Sequence, residues 1–309
     1  MTRLGHRSPF PDALRGAILA LGNFDGFHLG HQAVVREATA WARAERRPAI
    51  VATFDPHPVR HFAPHVPPFR LTSLDQSEEL FAAAGADAML VFEFDGDLAA
   101  TPAEAFVSDL LAERFGAAGV VTGEDFTFGQ GRRGDIALLA ATGAASGVTV
   151  RALGPVMDHG VAVSSSRIRE ALIAGDCATA TRLLTRPFAI RGAVQHGDKR
   201  GREIGYPTAN LDLGKYLRPR YGIYAVTGKV LDSGERLRGA ASLGIRPTFE
   251  PPRELLEPYF FDFADDLYGR EIEVALHHFL RPEAKFATLD GLTAQMAQDC
   301  AQARALLAA

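Results

Sequence analysis

Along the first half of the chain, short apolar runs alternate with stretches whose apolar residues recur at helical spacing. Five runs read as buried strands: 17–21, 49–54, 88–94, 118–122 and 148–153. From Gln32 to about Arg46, Val34, Val35, Ala38, Trp41 and Ala42 recur with a period near 3.6 and the stretch ends at Arg46-Arg47-Pro48, so it reads as a helix. Ser73-Leu-Asp-Gln76 and Thr101-Pro-Ala-Glu104 fit capping boxes, and Gly85 and Gly116 fit helix stops. Strands apolar on both faces, alternating with helices, predict a doubly wound parallel sheet with right-handed crossovers. Ligands of such α/β sheets sit beyond the carboxyl ends of the strands. The loop 55–70 carries five prolines and predicts extended, irregular backbone.

Short helical material runs to about Leu184, and after Arg186-Pro187 the pattern changes. The segments 188–195, 222–231, 259–263 and 272–279 read as strands between Gly-, Pro- and Asp-rich turns, and 289–307 reads as a final helix. This predicts a C-terminal β-barrel with a terminal helix, and a division into domains at 1–185 and 186–309. At 309 residues and 47% hydrophobic content, the chain is long enough for two cores.

Charge and cysteine usage remove some function classes. A formal net charge of −4 argues against nucleic acid as the partner. Cys177 and Cys300 have no metal-site or disulfide-framework spacing, which fits a reducing cytoplasm. No apolar run reaches membrane-spanning length and the first residues have no secretory pattern, so a cytoplasmic protein with no membrane partner is expected. The reading leaves room for a homo-oligomer.

The chemistry concentrates in a few stretches. Gly-Asn-Phe-Asp-Gly-Phe-His-Leu-Gly-His (22–31) lies between the first strand and the first helix, where N–H donors and the positive dipole end suit a phosphate. His28 and His31 stand one helical turn apart and can face one side, with Gly30 between them allowing close approach. The same pair would serve as a zinc half-site, but nothing cysteine-rich is nearby. Ser164-Ser-Ser-Arg-Ile-Arg169 sets hydroxyls and two cations at another helix start, and an ordinary serine cap reads the same way. Thr53-Phe-Asp-Pro-His-Pro58 and Gly123-Glu-Asp-Phe-Thr-Phe-Gly129 follow the second and fourth strands and bring aromatics to the same sheet edge, as plugs or as stacking surfaces. In the second half, Gly197-Asp-Lys-Arg-Gly201 leads to Pro207-Thr-Ala-Asn210; it is not a Walker A loop, yet its glycines, Lys199, Thr208 and Asn210 suit a nucleotide as well as a solvated hairpin.

GNFDGFHLGH, TFDPHP, GEDFTFG and SSSRIR, followed by GDKRGREIGYPTAN, together resemble the bacterial bifunctional riboflavin kinase/FAD synthetase family over nearly everything after residue 16. The resemblance implies two ATP-dependent reactions, riboflavin to FMN in the barrel and FMN to FAD in the α/β domain, with riboflavin, FMN and ATP as small-molecule partners. It implies that Gly22, Asn23, Phe24, Asp25, Gly30, Ser164, Ser165 and Ser166 bind the adenylylating ATP, while His28, His31 and Arg167 act on the transferring phosphorus. Flavin would meet Phe54, His57, Asp125 and Phe128. In the barrel it implies ATP at Gly197, Lys199, Gly201, Thr208 and Asn210, Mg²⁺ carried with ATP at Thr208 and Asn210, and Glu257 as general base. Two departures mark this chain: Ser242 stands where asparagine is frequent, and Pro258-Tyr259 follows Glu257. Two rival readings are an adenylyl- or other nucleotidylyltransferase for a different small phosphate with the barrel as accessory, and a flavin- or nucleotide-binding regulator without turnover.

Overall fold

The structure, a computed structural model, describes residues 1–196, 205–246 and 252–308. These form two compact units: Met1–Val66 with Leu74–Ser164, and Pro67–Ser73 with Ser165–Ala309.

The first unit is built on six parallel strands, β1 (Thr2–Gly5), β2 (Ile18–Leu21), β3 (Ala49–Phe54), β4 (Ala88–Phe92), β5 (Gly119–Gly123) and β6 (Thr149–Leu153), in the order β1-β4-β3-β2-β5-β6. All five expected strands are present. The sixth, β1, is an edge strand whose Thr-Arg-Leu-Gly sequence is too polar to stand out. The order reverses at β2, so the crevice of this sheet lies where β2 and β5 end. Alternate residues feed two cores. Leu19, Leu21, Ile50 and Ala52 pack with Phe92, Phe106 and Leu111 on one face. Ile18, Ala20, Val51 and Met89 pack with Val35, Trp41 and Phe81 on the other. Each large side chain so buried contributes about 1.5–3 kcal/mol, and this holds the strand ends still beneath the loops.

Two local expectations are corrected. The proline-rich loop contains a short helix, Pro58–Phe62: Pro58 sits in its first turn, where a missing N–H is harmless, and His57 Nδ1 accepts the Val59 N–H at 3.2 Å. Thr101 does not cap the following helix, because its hydroxyl donates to the Asp97 carbonyl of the preceding turn at 3.0 Å. Gly85 and Gly116 do stop helices, both with positive φ. A two-residue hairpin, β7 (Met157–Asp158) and β8 (Val161–Ala162), leads to Ser164.

The second unit is an antiparallel barrel of β9 (Phe188–Ala193), β10 (Leu211–Asp212), β11 (Gly222–Val230), β12 (Arg236–Arg246), β13 (Arg253–Phe260) and β14 (Glu271–Arg281). The order is β10-β13-β12-β11-β14-β9, and a bridge from Gln195 N–H to the Asn210 carbonyl, 2.9 Å, links the two end strands. Helices Ser165–Ala174 and Cys177–Leu184 belong to this unit; the Arg220 N–H, just before β11, donates to the Leu172 carbonyl at 3.0 Å. The C-terminal helix Leu289–Ala308 is anchored by Asp299, which takes Arg281 at 2.7 Å. β12 was not anticipated: its Arg-Leu-Arg-Gly-Ala-Ala-Ser-Leu-Gly-Ile-Arg sequence has glycine and alanine where a strand usually shows branched or aromatic residues.

Candidate nucleotide sites

In the first unit, the turn between β2 and helix Leu29–Glu45 is wound tightly and held from several sides. Phe24 and Phe27 lie in the left-handed region, at φ 49° and 44°. For bulky residues this costs of order 1–3 kcal/mol each. Burial of both rings edge-on against Phe81, with centroids at 5.8 and 5.1 Å, offsets that cost. Threonines closing the neighbouring strands fasten the turn: Thr53 Oγ1 donates to the Asn23 carbonyl at 2.9 Å and Thr122 Oγ1 to the Leu21 carbonyl at 2.8 Å. Gln32 Nε2 adds a third bond, to the Phe27 carbonyl at 2.9 Å.

His28 caps the helix with its ring. Its Nδ1 accepts the N–H groups of Gly30 and His31 at 3.1 and 3.3 Å, so the proton of this imidazole resides on Nε2. The expectation of bare amides facing a phosphate is therefore corrected, since those of Gly30 and His31 bond His28, and the turn presents imidazole instead. Gly30 gains a different meaning as well, because a Cβ there would stand 3.1 Å from His28 Cε1 and crowd the cap. The His28 and His31 rings stack at 3.6 Å and 19°, one side of the helix start, with Phe24 edge-on to His31 at 5.3 Å. Asp25 is buried in the same turn, and Asn23 Oδ1 is buried without a hydrogen-bond partner among the described residues.

The remaining residues of this unit divide by exposure. Phe54 and Phe128 are both only 6% exposed and belong to the core. Phe54 stacks on Phe92 at 5.2 Å, and Phe128 lies parallel to Phe126 at 5.7 Å. They therefore floor this edge rather than project from it. Asp125 is exposed on the loop after β5. Of the serine segment, Ser164 closes the first unit, while Ser165, Ser166 and Arg167 open the helix that begins in the second. Of the two cations there, Arg169 is tied to Phe69, donating Nε to its carbonyl at 2.9 Å and lying 5.2 Å from its ring.

In the second unit the site is assembled by register. Leu211 pairs with Leu256, and the Ala209 N–H donates to the Pro258 carbonyl at 3.0 Å, so Asn210 falls opposite Glu257. On the other side of β13, Ser242 of β12 pairs with Glu257. Side chains directly opposed on antiparallel strands share a face, so Asn210, Glu257 and Ser242 form one row across three strands. Pro258 continues the strand, which leaves Glu257 in the row. Glu257 is ion-paired with Arg246. In the same unit, Thr208, Pro258, Phe260, Asp265, Leu267 and Tyr268 are among the residues lining a cleft of about 420 Å³. Gly197, Lys199 and Gly201 lie outside the described residues.

Among the described residues no cluster of three or more His, Cys, Asp or Glu side chains forms a metal cage. The neutral oxygen donors of this stretch are buried Asn210, opposite Glu257, and half-buried Thr208, two residues before Asn210. Such a pair fits a hard cation whose other ligands are phosphate oxygens.

A strained, histidine-bearing turn at the switch point of a doubly wound sheet, joined in one chain to a barrel whose register sets Asn210 and Ser242 on either side of a carboxylate, gives the chain two candidate sites, one in each unit. Residues 10–167 match the FAD synthetase family and 184–307 the riboflavin kinase family. Bifunctional riboflavin kinase/FMN adenylyltransferases align along almost the whole length: that of Escherichia coli K12 is 42% identical over 94% of this chain and 92% of its own, and that of Pseudomonas fluorescens 39% over 95% and 94%. The chain belongs to this bifunctional family. A solved structure described as a macrolide-efflux protein from Streptococcus pneumoniae matches with a TM-score of 0.86 at 30% identity over 97% of each chain. In this chain, no helix among the described residues is long and apolar enough to cross a membrane.

Proposed function

We propose that this chain makes FAD in two steps, each in its own part: riboflavin kinase in 186–309 and FMN adenylyltransferase in 1–185. The observation that carries the reading is the row Asn210–Glu257–Ser242, because it gives the barrel a chemistry of its own rather than an accessory role. In the kinase step the riboflavin 5′-hydroxyl oxygen attacks the ATP γ-phosphorus, ADP leaves, and Glu257 takes the hydroxyl proton. Thr208 and Asn210 would hold Mg²⁺ arriving with ATP, which neutralises phosphate charge, and Gly197, Lys199 and Gly201 would serve the same phosphates.

The second step needs no base, since the FMN phosphate is already anionic. Its oxygen attacks the α-phosphorus of a second ATP and pyrophosphate departs. Here positioning and charge dispersal dominate. His28 donates from Nε2, and His31 shares the developing charge. Gly22, Asn23, Phe24, Asp25, Gly30 and Ser164 hold the nucleotide, with the buried Asn23 Oδ1 supplied by a ligand donor. Flavin is received at the loops of His57 and Asp125 over the floor of Phe54 and Phe128. Substrates of this kind fit a cytoplasmic enzyme. Purified chain incubated with riboflavin, ATP and Mg²⁺, followed by chromatography, is expected to yield FMN and then FAD; neither product would leave only a binding role, and FAD from supplied FMN without FMN from riboflavin would leave the barrel accessory.

A further inference from the structure

We infer that Arg246 is the positioning residue of the kinase site, fixing the Glu257 carboxylate through a three-partner guanidinium bridge; this rests on Glu257 being the base. Arg246 ends β12, and its guanidinium folds back along its own strand over the Ser242–Glu257 pair. Nε donates to Glu257 Oε2, Nη2 to Ser242 Oγ at 2.6 Å and Nη1 to Glu283 Oε1 at 2.9 Å. Each nitrogen therefore has a partner on a different element: β13, β12 and the segment after β14.

Two further features show that the bridge is built in. The first is Gly244, whose Cβ would stand 2.3 Å from Glu283 Oε1, so a side chain there would push Glu283 off the arginine. The second is Ser242, whose small hydroxyl accepts from Nη2 on the strand next to Glu257. Burial works against the Arg246 charge, yet Glu257 and Glu283 together hold its pKa above the ordinary value. A lysine has no rigid fork and cannot hold three partners in one plane.

The test compares Arg246→Met, Arg246→Lys and Glu283→Gln in the full chain, with Glu257→Gln and the double variant. Arg246→Met is expected to lower kcat for riboflavin phosphorylation by about 10²-fold, as for a misplaced reacting group, with KM for ATP unchanged. Arg246→Lys should recover part of that loss. In the Glu257→Gln background, Arg246→Met should add nothing, because both act through one carboxylate. Conversion of supplied FMN to FAD by the same samples reports that the chain is folded. Independent, multiplying effects of Arg246→Met and Glu257→Gln, or a change confined to KM, would overturn the inference. Should Arg246→Met not fold, Glu283→Gln decides: lower kcat at unchanged KM supports the bridge, and unchanged kcat removes it. A Glu257→Gln enzyme with normal kinase activity would sink the base assignment and this inference together. An impaired Glu257→Gln beside a normal Arg246→Met would sink the inference alone.

Discussion

The two candidate sites are organised in opposite ways. In the α/β unit the histidines of the candidate site sit in one contiguous turn, 22–31, whose strain is held by Phe81 packing and by threonines at the ends of β3 and β5. In the barrel no contiguous stretch suffices: Asn210, Glu257, Ser242 and Arg246 come from neighbouring strands and meet only through register and the Arg246 bridge. A parallel sheet delivers ligands to strand-to-helix turns, so its site can be written as a motif. An antiparallel barrel delivers them to a face, so its site is a pairing pattern.

The largest expected effect breaks the barrel side of this comparison. Glu257→Gln keeps size and hydrogen-bonding reach while removing basicity. It should lower riboflavin phosphorylation by roughly 10²–10⁴-fold, the range for a positioned general base. Conversion of supplied FMN to FAD should be unchanged when both products are followed by chromatography. A variant that phosphorylates riboflavin at the normal rate would show that register alone does not make Glu257 the base.

That contrast also explains what was readable beforehand. The four inner strands of the α/β unit, the first helix and the histidine turn were legible because burial on both faces leaves continuous apolar runs and the site is local in sequence; the edge strand β6, largely exposed, was legible only from its place in the βα alternation. What could not be read was how the histidines are used: the Nδ1 cap by His28 depends on the ring's rotamer. The short helix at Pro58 was hidden by its prolines. In the barrel, β12 escaped notice because Gly239 is required where a Cβ would stand 2.2 Å from the Tyr259 carbonyl, and Gly244 where Glu283 approaches. Close packing between strands erased the branched residues that normally announce one. Arg246 was invisible for the same reason, although an arginine closing such a strand beside a candidate base is a signal worth weighing.

Next in size is the histidine turn. His28→Ala or His31→Ala should lower FAD formation from FMN by about 10²-fold or more, as for loss of a donor to developing charge, with FMN accumulating from riboflavin. For His28 the cap and the chemistry can be separated. His28→Asn retains a capping side chain for the Gly30 and His31 N–H groups but has no imidazole Nε2. It should melt near the wild-type temperature and still lose adenylylation. If His28→Asn is both stable and active, the ring serves the fold and not the phosphate.

A smaller effect concerns what each half needs from its neighbours in sequence. Helices Ser165–Ala174 and Cys177–Leu184 bury Ile168, Leu172, Leu183 and Leu184 in the second unit. A fragment opening at Ser165 should phosphorylate riboflavin without making FAD. One opening at Leu184 should retain the site row but melt lower, since each large aliphatic exposed costs about 1.5–3 kcal/mol. Equal melting of the two fragments in a thermal scan would mean that the helices add nothing to the barrel.

The smallest expected effect asks whether the two units differ away from their sites, and here they should not. Among the described residues each holds a histidine with a depressed pKa: buried His6, lowered by burial and by Arg7, and half-buried His277, lowered by burial and by His278. His6 Nδ1 accepts the Glu93 N–H at 3.0 Å, and His277 Nε2 meets Thr227 Oγ1 at 2.9 Å. An unfolded histidine titrates near 6.5, so below about that pH the unfolded chain binds more protons than the folded one. Stability is then fully present above the unfolded value and falls as the pH drops toward the folded values. Trp41, the single tryptophan, lies in the first core and reports that unit alone. Its fluorescence in denaturant titrations at about pH 7.5 and about pH 5.5 should show a lower midpoint in acid. His6→Gln keeps an acceptor for the Glu93 N–H but cannot gain a proton, so it should reduce that acid shift. An acid shift that is the same in wild type and His6→Gln would place the sensitivity in other groups, and the parallel drawn between His6 and His277 would fail.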